Sequence, residues 1–309
     1  MRLGAAIVDR LHMESAMKQV IHRHVTPPAL RDLMESYVAY KMTESTVFGE
    51  LALLHYSMFG GDSEERYAGA AAIEFLVLAL DIFDDLQDLD NDRVPWMKHN
   101  HAQSMNAAIG FLSLSTKAIT DTEFDHDRKS IAVELLQHRL NQSVGGQYID
   151  VDNGITEEEE CLAMIRAKSG ALVACACQLG CVLATGELND QVGAYGELFG
   201  MSAQLRNDME GILRWDTRND LIHRKRTLPV LYLLDDSAPE LQVLRDYYAG
   251  QVGVDQIYAN KHVIMDQIER GGCIPYTQVH IQFIQQACHT YIAGLSTDLH
   301  WKKELENFI

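Results

Sequence analysis

The chain has 309 residues, 47% of them hydrophobic and 23% charged, which is enough apolar length to bury a sizeable core in one large domain or two ordinary ones. Its 26 basic and 44 acidic residues leave a formal net charge of −18, a balance that repels nucleic acid and anionic lipid and suits divalent cations and basic peptides. Six cysteines are too few for a dense disulfide framework and lack paired C-x-x-C spacing, so they read as small buried apolar side chains.

The first residues, MRLGAAIVDRLHMESAMKQVIHRH, are too charged for a secretory signal. The longest apolar run, Ala68 to Phe83, carries Glu74 and Asp81 and is too short to span a bilayer. The expected location is the cytoplasm, with transient contact at a membrane surface left open. Apolar residues recur at helical spacing almost throughout, and no alternating strand is found. This periodicity predicts helices over 30–58, 64–91, 101–119, 128–149, 157–185, 190–213, 220–234, 239–248, 254–270 and 276–300. Breaks fall at Gly60-Gly61, 121–127, 151–156 and Gly271-Gly272. Thr156, ahead of four glutamates, is expected to cap the helix that follows. No linker, composition shift or repeat divides the chain, so the expectation is an all-α, single-domain helical bundle over 1–309.

Three stretches carry chemistry. In ALDIFDDLQDLDND, Asp81, Asp84, Asp85 and Asp88 have i, i+3, i+4, i+7 spacing and share one face, with Asp90 and Asp92 in the next turn. The cluster ends an apolar helix, where the dipole disfavours anions. It is either a solvated acidic face or a site for a hard divalent cation with oxygen ligands. In GMSAQLRNDMEG, Gln204, Asn207, Asp208 and Gly211 repeat that spacing. Between the two clusters Lys168 heads an apolar stretch, where it either reaches out to water or faces the carboxylates. His223, Arg224, Lys225 and Arg226 then precede an apolar helix. Cations facing two acidic clusters across a bundle would frame an anion site suited to diphosphate departure.

These residues resemble the trans-prenyl diphosphate synthases. Asp84-Asp85-Leu86-Gln87-Asp88-Leu89-Asp90 is similar to their first aspartate-rich motif, with Glu74 at the acidic position upstream. Gly146-Gln147 with Asp150 resembles the GQ-x-x-D element, and Lys168-Ser169-Gly170-Ala171-Leu172 the KT-G-x-L element. Gln204 with Asn207-Asp208 stands where the second aspartate-rich motif belongs. Asp220-Leu221, Lys225 and Thr227-Leu228-Pro229 resemble the D-L…K-x-T-L-P signature. A closer resemblance, to the ComQ group of bacterial relatives, is carried by His55-Tyr56, Phe59-Gly60-Gly61, Asp81-Ile82-Phe83-Asp84-Asp85-Leu86, Trp96-Met97-Lys98 and Ser104-Met105-Asn106-Ala107-Ala108.

The resemblance implies an isoprenoid-synthase fold and a magnesium-dependent prenyltransferase. Magnesium would be held by Asp84, Asp85, Asp88, Asp90, Asn207 and Asp208. A geranyl or farnesyl diphosphate would be held by Lys168, Gln204, Lys225, Arg93 and Gln147, with Ala79 and Leu80 lining its tail pocket. The acceptor would be a tryptophan in a ComX-type pheromone precursor peptide, and relatives of this kind commonly form homodimers. The family's G-K-R element is missing, with Lys41 the nearest basic residue, as are the arginine pair after the first motif and the histidine replaced by Val77. Those groups mostly hold a second diphosphate in the family, so their loss points to an acceptor without one. Tyr56, Phe59 and Trp96 are expected to help wall such an indole. An ordinary short-chain synthase and a non-catalytic subunit of a two-part synthase remain the alternatives.

Overall fold

Uninterrupted helical periodicity should give an all-helical protein, and a computed structural model bears this out. It describes residues 2–89, 91–215 and 219–308, the first seven of these by backbone alone, and among the described residues no strand forms. The helices are α1 (Arg2–His24), α2 (Pro28–Lys41), α3 (Val47–Met58), α4 (Arg66–Asp88), α5 (Pro95–Lys98), α6 (His101–Thr120), α7 (His126–Asp152), α8 (Glu158–Ile165), α9 (Ala171–Thr185), α10 (Asp190–Leu213), α11 (Leu228–Asp235), α12 (Gln242–Tyr248), α13 (Val254–Ala259), α14 (Lys261–Arg270), α15 (Cys273–Gly294) and α16 (Leu299–Leu305). One π turn, Arg166–Gly170, joins α8 to α9.

Several boundaries differ from the periodicity, each for a local reason. Helix α1 occupies a segment where no helix was expected, because Met13, Met17 and Ile21 bury one side of it. The expected helix 30–58 breaks after Lys41, where the Thr43 hydroxyl bonds the Tyr40 carbonyl and the Thr46 hydroxyl bonds Glu50; such local bonds compete with the helix ladder. Residues 220–227 are a turn and not the start of a helix: the Asn219 side chain accepts from the Leu221 and Ile222 amides, and Arg224 has φ +55°. The 254–270 stretch breaks at Asn260, and the 276–300 helix instead runs from Cys273, after Gly272 at φ +93°, to Gly294. The cap of α8 is Glu157 and not Thr156, and it forms a capping box with Glu160.

Helix α4 is the axis of the molecule. Its side chains from Tyr67 to Ala79 are buried with few exceptions, and it packs on α3, α6 and α9. Phe75 stacks on Phe111 of α6 with centroids 5.6 Å apart inside the largest core cluster. A second cluster, around Ile212, Leu221, Val230, Ile264 and Ile268, ties the end of α10 to α11 and α14. Residues Glu158–Thr185 are long and apolar enough to cross a membrane, yet 72% of the apolar window is buried among α3, α7 and α10, as in the core helix of a globular protein. All six cysteines are free and buried, as expected.

Helices α3 and α9 meet at Gly180, where an added Cβ would run into the Ala52 carbonyl oxygen and the Tyr56 backbone nitrogen. Backbone cannot yield as a flexible side chain does. Gly180→Ala is therefore expected to cost about 1–3 kcal/mol. Urea denaturation checks this: the midpoint should fall while the m-value stays constant.

Candidate active site

The site forms where α4 runs out. Leu89, at φ 55°, closes the helix in a left-handed cap directly after Asp88. Asp81 and Asp84 face a cavity of about 690 Å³ between α4, α7, α9 and α10. Asp84 Oδ1 accepts from Lys168 Nζ at 3.1 Å and from Gln147 Nε2 at 2.7 Å, and Lys168 also donates to Asp150 Oδ2 at 2.6 Å. One ammonium thus ties α4 to α7.

Lys168 is aimed there by the π turn, a local widening often found at functional sites. Two glycines let the turn sit between its neighbours. A Cβ at Gly146 of α7 would strike the Lys168 backbone, and one at Gly200 of α10 would strike the Ser169 carbonyl. From the same turn the Ser169 hydroxyl donates to Gln204 Oε1 at 2.8 Å, and Gln204 Nε2 donates to Asp208 Oδ1 at 2.8 Å. Lys225, in the turn before α11, reaches Asp88 Oδ2 at 2.6 Å. A smaller pocket of about 140 Å³ lies behind, shared by Asp150, Lys168, Asp208, Asp220 and Lys225.

Burial sets the electrostatics. It pushes Asp208 up to about 7, aided by Asp220 and Asp150 nearby, against the opposing Gln204 hydrogen bond. It pushes Asp85 up to about 6 and raises Asp88 despite Lys225. For Lys168 burial works downward, but Asp84 and Asp150 outweigh it and its pKa rises. The carboxylates here are short of positive charge, and Lys168 is held firmly charged.

The expected site residues divide into those brought together and those left apart. Asp84, Leu80, Gln147, Lys168, Gln204 and Asn207 line the larger cavity, and Asp208 and Lys225 the smaller. Asp88 joins through Lys225. Asp85 departs from the expected common face: its Oδ2 accepts from Trp96 Nε1 at 2.7 Å, outside the cavity. Ala79 is fully buried and does not line the cavity, because its side chain packs in the core. Arg93 is exposed beyond the end of α4 and does not line it either. Asp90 lies outside the described residues. Nor do Tyr56, Phe59 and Trp96 wall the cavity: Tyr56 packs near Phe124, Phe59 lies against the core cluster, and Trp96 sits edge-on to Tyr37 and Tyr40. The aromatic lining comes instead from Phe48, Phe83 and Tyr148.

Asp150 and Asp220 carried motif matches in the sequence but no assigned role. Asp150 anchors Lys168, and the Asp220 carboxylate fills the space where a side chain at position 211 would stand, which is why glycine fits there. Only oxygen donors face the site from α4 and α10, the set a hard divalent cation prefers. Among the described residues no three acidic, histidine or cysteine side chains form a cage alone. A magnesium that takes one or two carboxylates and completes its shell from phosphate oxygens fits this arrangement. The raised Asp85 and Asp208 are carboxylates that such an ion would relieve.

Comparison with known proteins places this geometry. The polyprenyl synthetase family model matches residues 46–263. The chain is 33% identical to the tryptophan prenyltransferase ComQ of Bacillus subtilis (strain 168) over 296 residues, 94% of each chain. It is 27% identical to a (2E,6E)-farnesyl diphosphate synthase of Mycobacterium tuberculosis (strain ATCC 25618 / H37Rv), over 56% of this chain and 52% of that one. Among solved structures, a polyprenyl synthetase from Streptomyces coelicolor A3(2) superposes with a TM-score of 0.83 at 21% identity, covering 97% of this chain and 96% of that one. A polyprenyl synthase from Caulobacter crescentus CB15, complexed with calcium and isoprenyl diphosphate, does so at 0.83 and 17%, covering 99% and 94%. Both share the all-α isoprenoid-synthase fold.

Deeper along α4, Glu74 is fully buried. Its Oε1 accepts the Gly49 amide at 2.7 Å, while its Oε2 has no hydrogen-bond partner. Burial, partly offset by Lys41 and the Gly49 amide, pushes its pKa up to about 7 from 4.5. The folded state therefore holds the proton more tightly than the unfolded chain, and stability is lost as pH rises from about 4.5 through 7. Glu74→Gln keeps the acceptor and removes the charge. It is expected to lie within about 1 kcal/mol of the wild type at pH 5 and to exceed its stability at pH 8 by up to roughly 3 kcal/mol. Denaturant midpoints measured at both pH values test this; equal midpoints at pH 8 would contradict it.

Proposed function

Because the chain belongs to the polyprenyl synthetase family and is a prenyltransferase, we propose that it moves a geranyl or farnesyl group from its diphosphate to a tryptophan of a ComX-type pheromone precursor peptide, with magnesium as cofactor. The name and near-full-length similarity of the ComQ relative support the acceptor. The observation that carries the reading is the lining of the large cavity. Its one lysine, Lys168, stands at the polar end with Asp84, Gln147 and Gln204, and the rest of the wall is largely apolar, with Phe48, Val77, Leu80, Phe83 and Val173. Lys41, nearest to the missing basic element, is bound to Asp81 at 2.9 Å. A second diphosphate in this half would face a carboxylate and apolar carbon, at a desolvation cost with little to offset it. A neutral indole meets no such penalty.

In this reading Lys168, Gln204 and Lys225 hold the diphosphate oxygens, and Gln147 and Lys168 fix the Asp84 carboxylate. Asp84, Asp88 and Asp208, with Asn207, would hold magnesium, joined by Asp85 once it leaves Trp96. Bound magnesium supplies charge neutralisation to the leaving diphosphate. The apolar wall keeps water from the allylic cation that develops. Leu80 lies along the prenyl tail. The same reading has the chain act as one domain over 1–309, as a homodimer, in the cytoplasm.

The reading is tested by competition with farnesyl or geranyl diphosphate and magnesium. One acceptor is isopentenyl diphosphate and the other a tryptophan peptide encoded by a neighbouring gene. The peptide is expected to gain the mass of one prenyl group while isopentenyl diphosphate is extended slowly or not at all. Asp84→Ala should abolish transfer and leave the fold intact, since Asp84 is one of several like charges on its helix face and Lys168 keeps Asp150 as its partner. Efficient elongation with an unmodified peptide would promote the short-chain synthase instead.

A further inference from the structure

Resting on the tryptophan reading, we infer that Asp81, held by Lys41, is the acceptor-side catalytic residue, which receives the indole N–H and takes its proton as the prenyl group is transferred. Asp81 lies one helical turn inward from Asp84, about 4.5 Å along α4. It lines the cavity together with the apolar Val77 and Phe48. The Gly49 amide bonded to Glu74 sets that level, since it brings the neighbouring Phe48 of α3 against this stretch of α4.

The pair is not explained by stability. Lys41 is 6% exposed, whereas the Asp81 side chain is 43% accessible and lines the cavity. Burying an ion pair costs about as much desolvation as its attraction returns, and well-packed apolar side chains generally do as well or better. Lys41 engages only Oδ2, at 2.9 Å, and among the described residues no hydrogen bond engages Oδ1. One carboxylate oxygen is therefore anchored and the other is left without a protein donor among the described residues, in the half of the cavity that lacks the donor-binding groups.

The chemistry needs such a group. When the allylic C–O bond breaks, its electron pair leaves with the diphosphate. The indole π electrons then form the new bond to the prenyl carbon and leave the ring cationic. Loss of the N–H proton returns that bond pair to the ring and makes it neutral. The proton moves to Asp81, and no other reagent is required. The charged groups nearest Asp81 are Lys41 and Glu44 from α2 and the turn after it, and Asp84, Asp85 and Glu74 from its own helix. Glu50 of α3 lies beyond Glu74, and Lys168 stands across the cavity. Burial and Asp84 favour the protonated form, and Lys41 opposes them.

The test compares two peptides on the enzyme loaded with magnesium and an unreactive thio-analogue of the donor diphosphate, whose C–S bond does not break. One carries tryptophan and the other benzothienylalanine, in which sulfur replaces the N–H. A hydrogen bond to a carboxylate is expected to favour the tryptophan peptide roughly ten- to a hundredfold in Kd for the wild type. In Asp81→Leu that preference should fall to about twofold or less. Because Asp81→Leu leaves Lys41 without its partner, the pair is also removed whole, as Lys41→Met/Asp81→Leu, which should fold and lose the preference in the same way. The melting-temperature rise given by magnesium and the donor analogue should persist in both variants and reports an intact donor half. A preference retained in the double variant overturns the assignment, as does a lost donor-induced rise in a folded double variant. If the wild type binds the donor analogue but neither peptide, the tryptophan reading falls and takes this assignment with it. That outcome is distinct, because it shows in the wild type and not in the variants.

Discussion

The site depends on one ammonium group. Lys168 stands between Asp84 of α4 and Asp150 of α7, at 3.1 and 2.6 Å, and holds the mouths of two helices in register. An ammonium so placed needs a backbone that can approach both helices closely. The π turn provides that approach, seated against α7 at Gly146 and against α10 at Gly200. The polar lining follows from this contact. Ser169, next along the turn, fixes Gln204, and Gln204 fixes Asp208. Positioning therefore passes along one connected chain of charge-assisted and neutral hydrogen bonds, which is stiffer than independent surface contacts.

The two ends of the cavity differ in how charge is balanced. At the polar end the carboxylates outnumber the lysines, and Asp85 and Asp208 are left with raised affinities for protons. Further cations at this end would offset that excess. At the inner end a single lysine is matched to Asp81, with Glu74 buried beside them. An anionic ligand accompanied by cations is favoured at the first end and has little to gain at the second. One long cavity thus acquires two chemically different halves.

Much of this was legible because it is periodic. The spacing of Asp81, Asp84 and Asp88 puts them on one side of a helix whatever that helix packs against, and the same holds for Gln204 and Asp208. What failed to show depends on contacts distant in sequence. Trp96 was placed at an acceptor wall because it is aromatic and near the first motif, but its ring closes the core and its N–H turns Asp85 away from its neighbours. The π turn was invisible because one extra residue in a turn does not disturb an apolar pattern that runs on through α9. The break after Lys41 depends on hydroxyls choosing local partners over the helix ladder, an outcome that hydrophobic spacing does not register.

The ligand-free arrangement also shows how donor binding can proceed without a heavy electrostatic penalty. Lys168 and Lys225 are half-buried and line the site, each resting on a carboxylate. On the proposed reading, a diphosphate arriving with divalent cations would offer the lysines new anionic oxygens and offer Asp84 and Asp88 new cations. Each group exchanges one partner of opposite charge for another, and none is stripped of a partner on the way. The side chains were ordered when the protein folded, so little conformational entropy is lost on binding. Preorganisation of this kind is what lets fixed charges act on a leaving group.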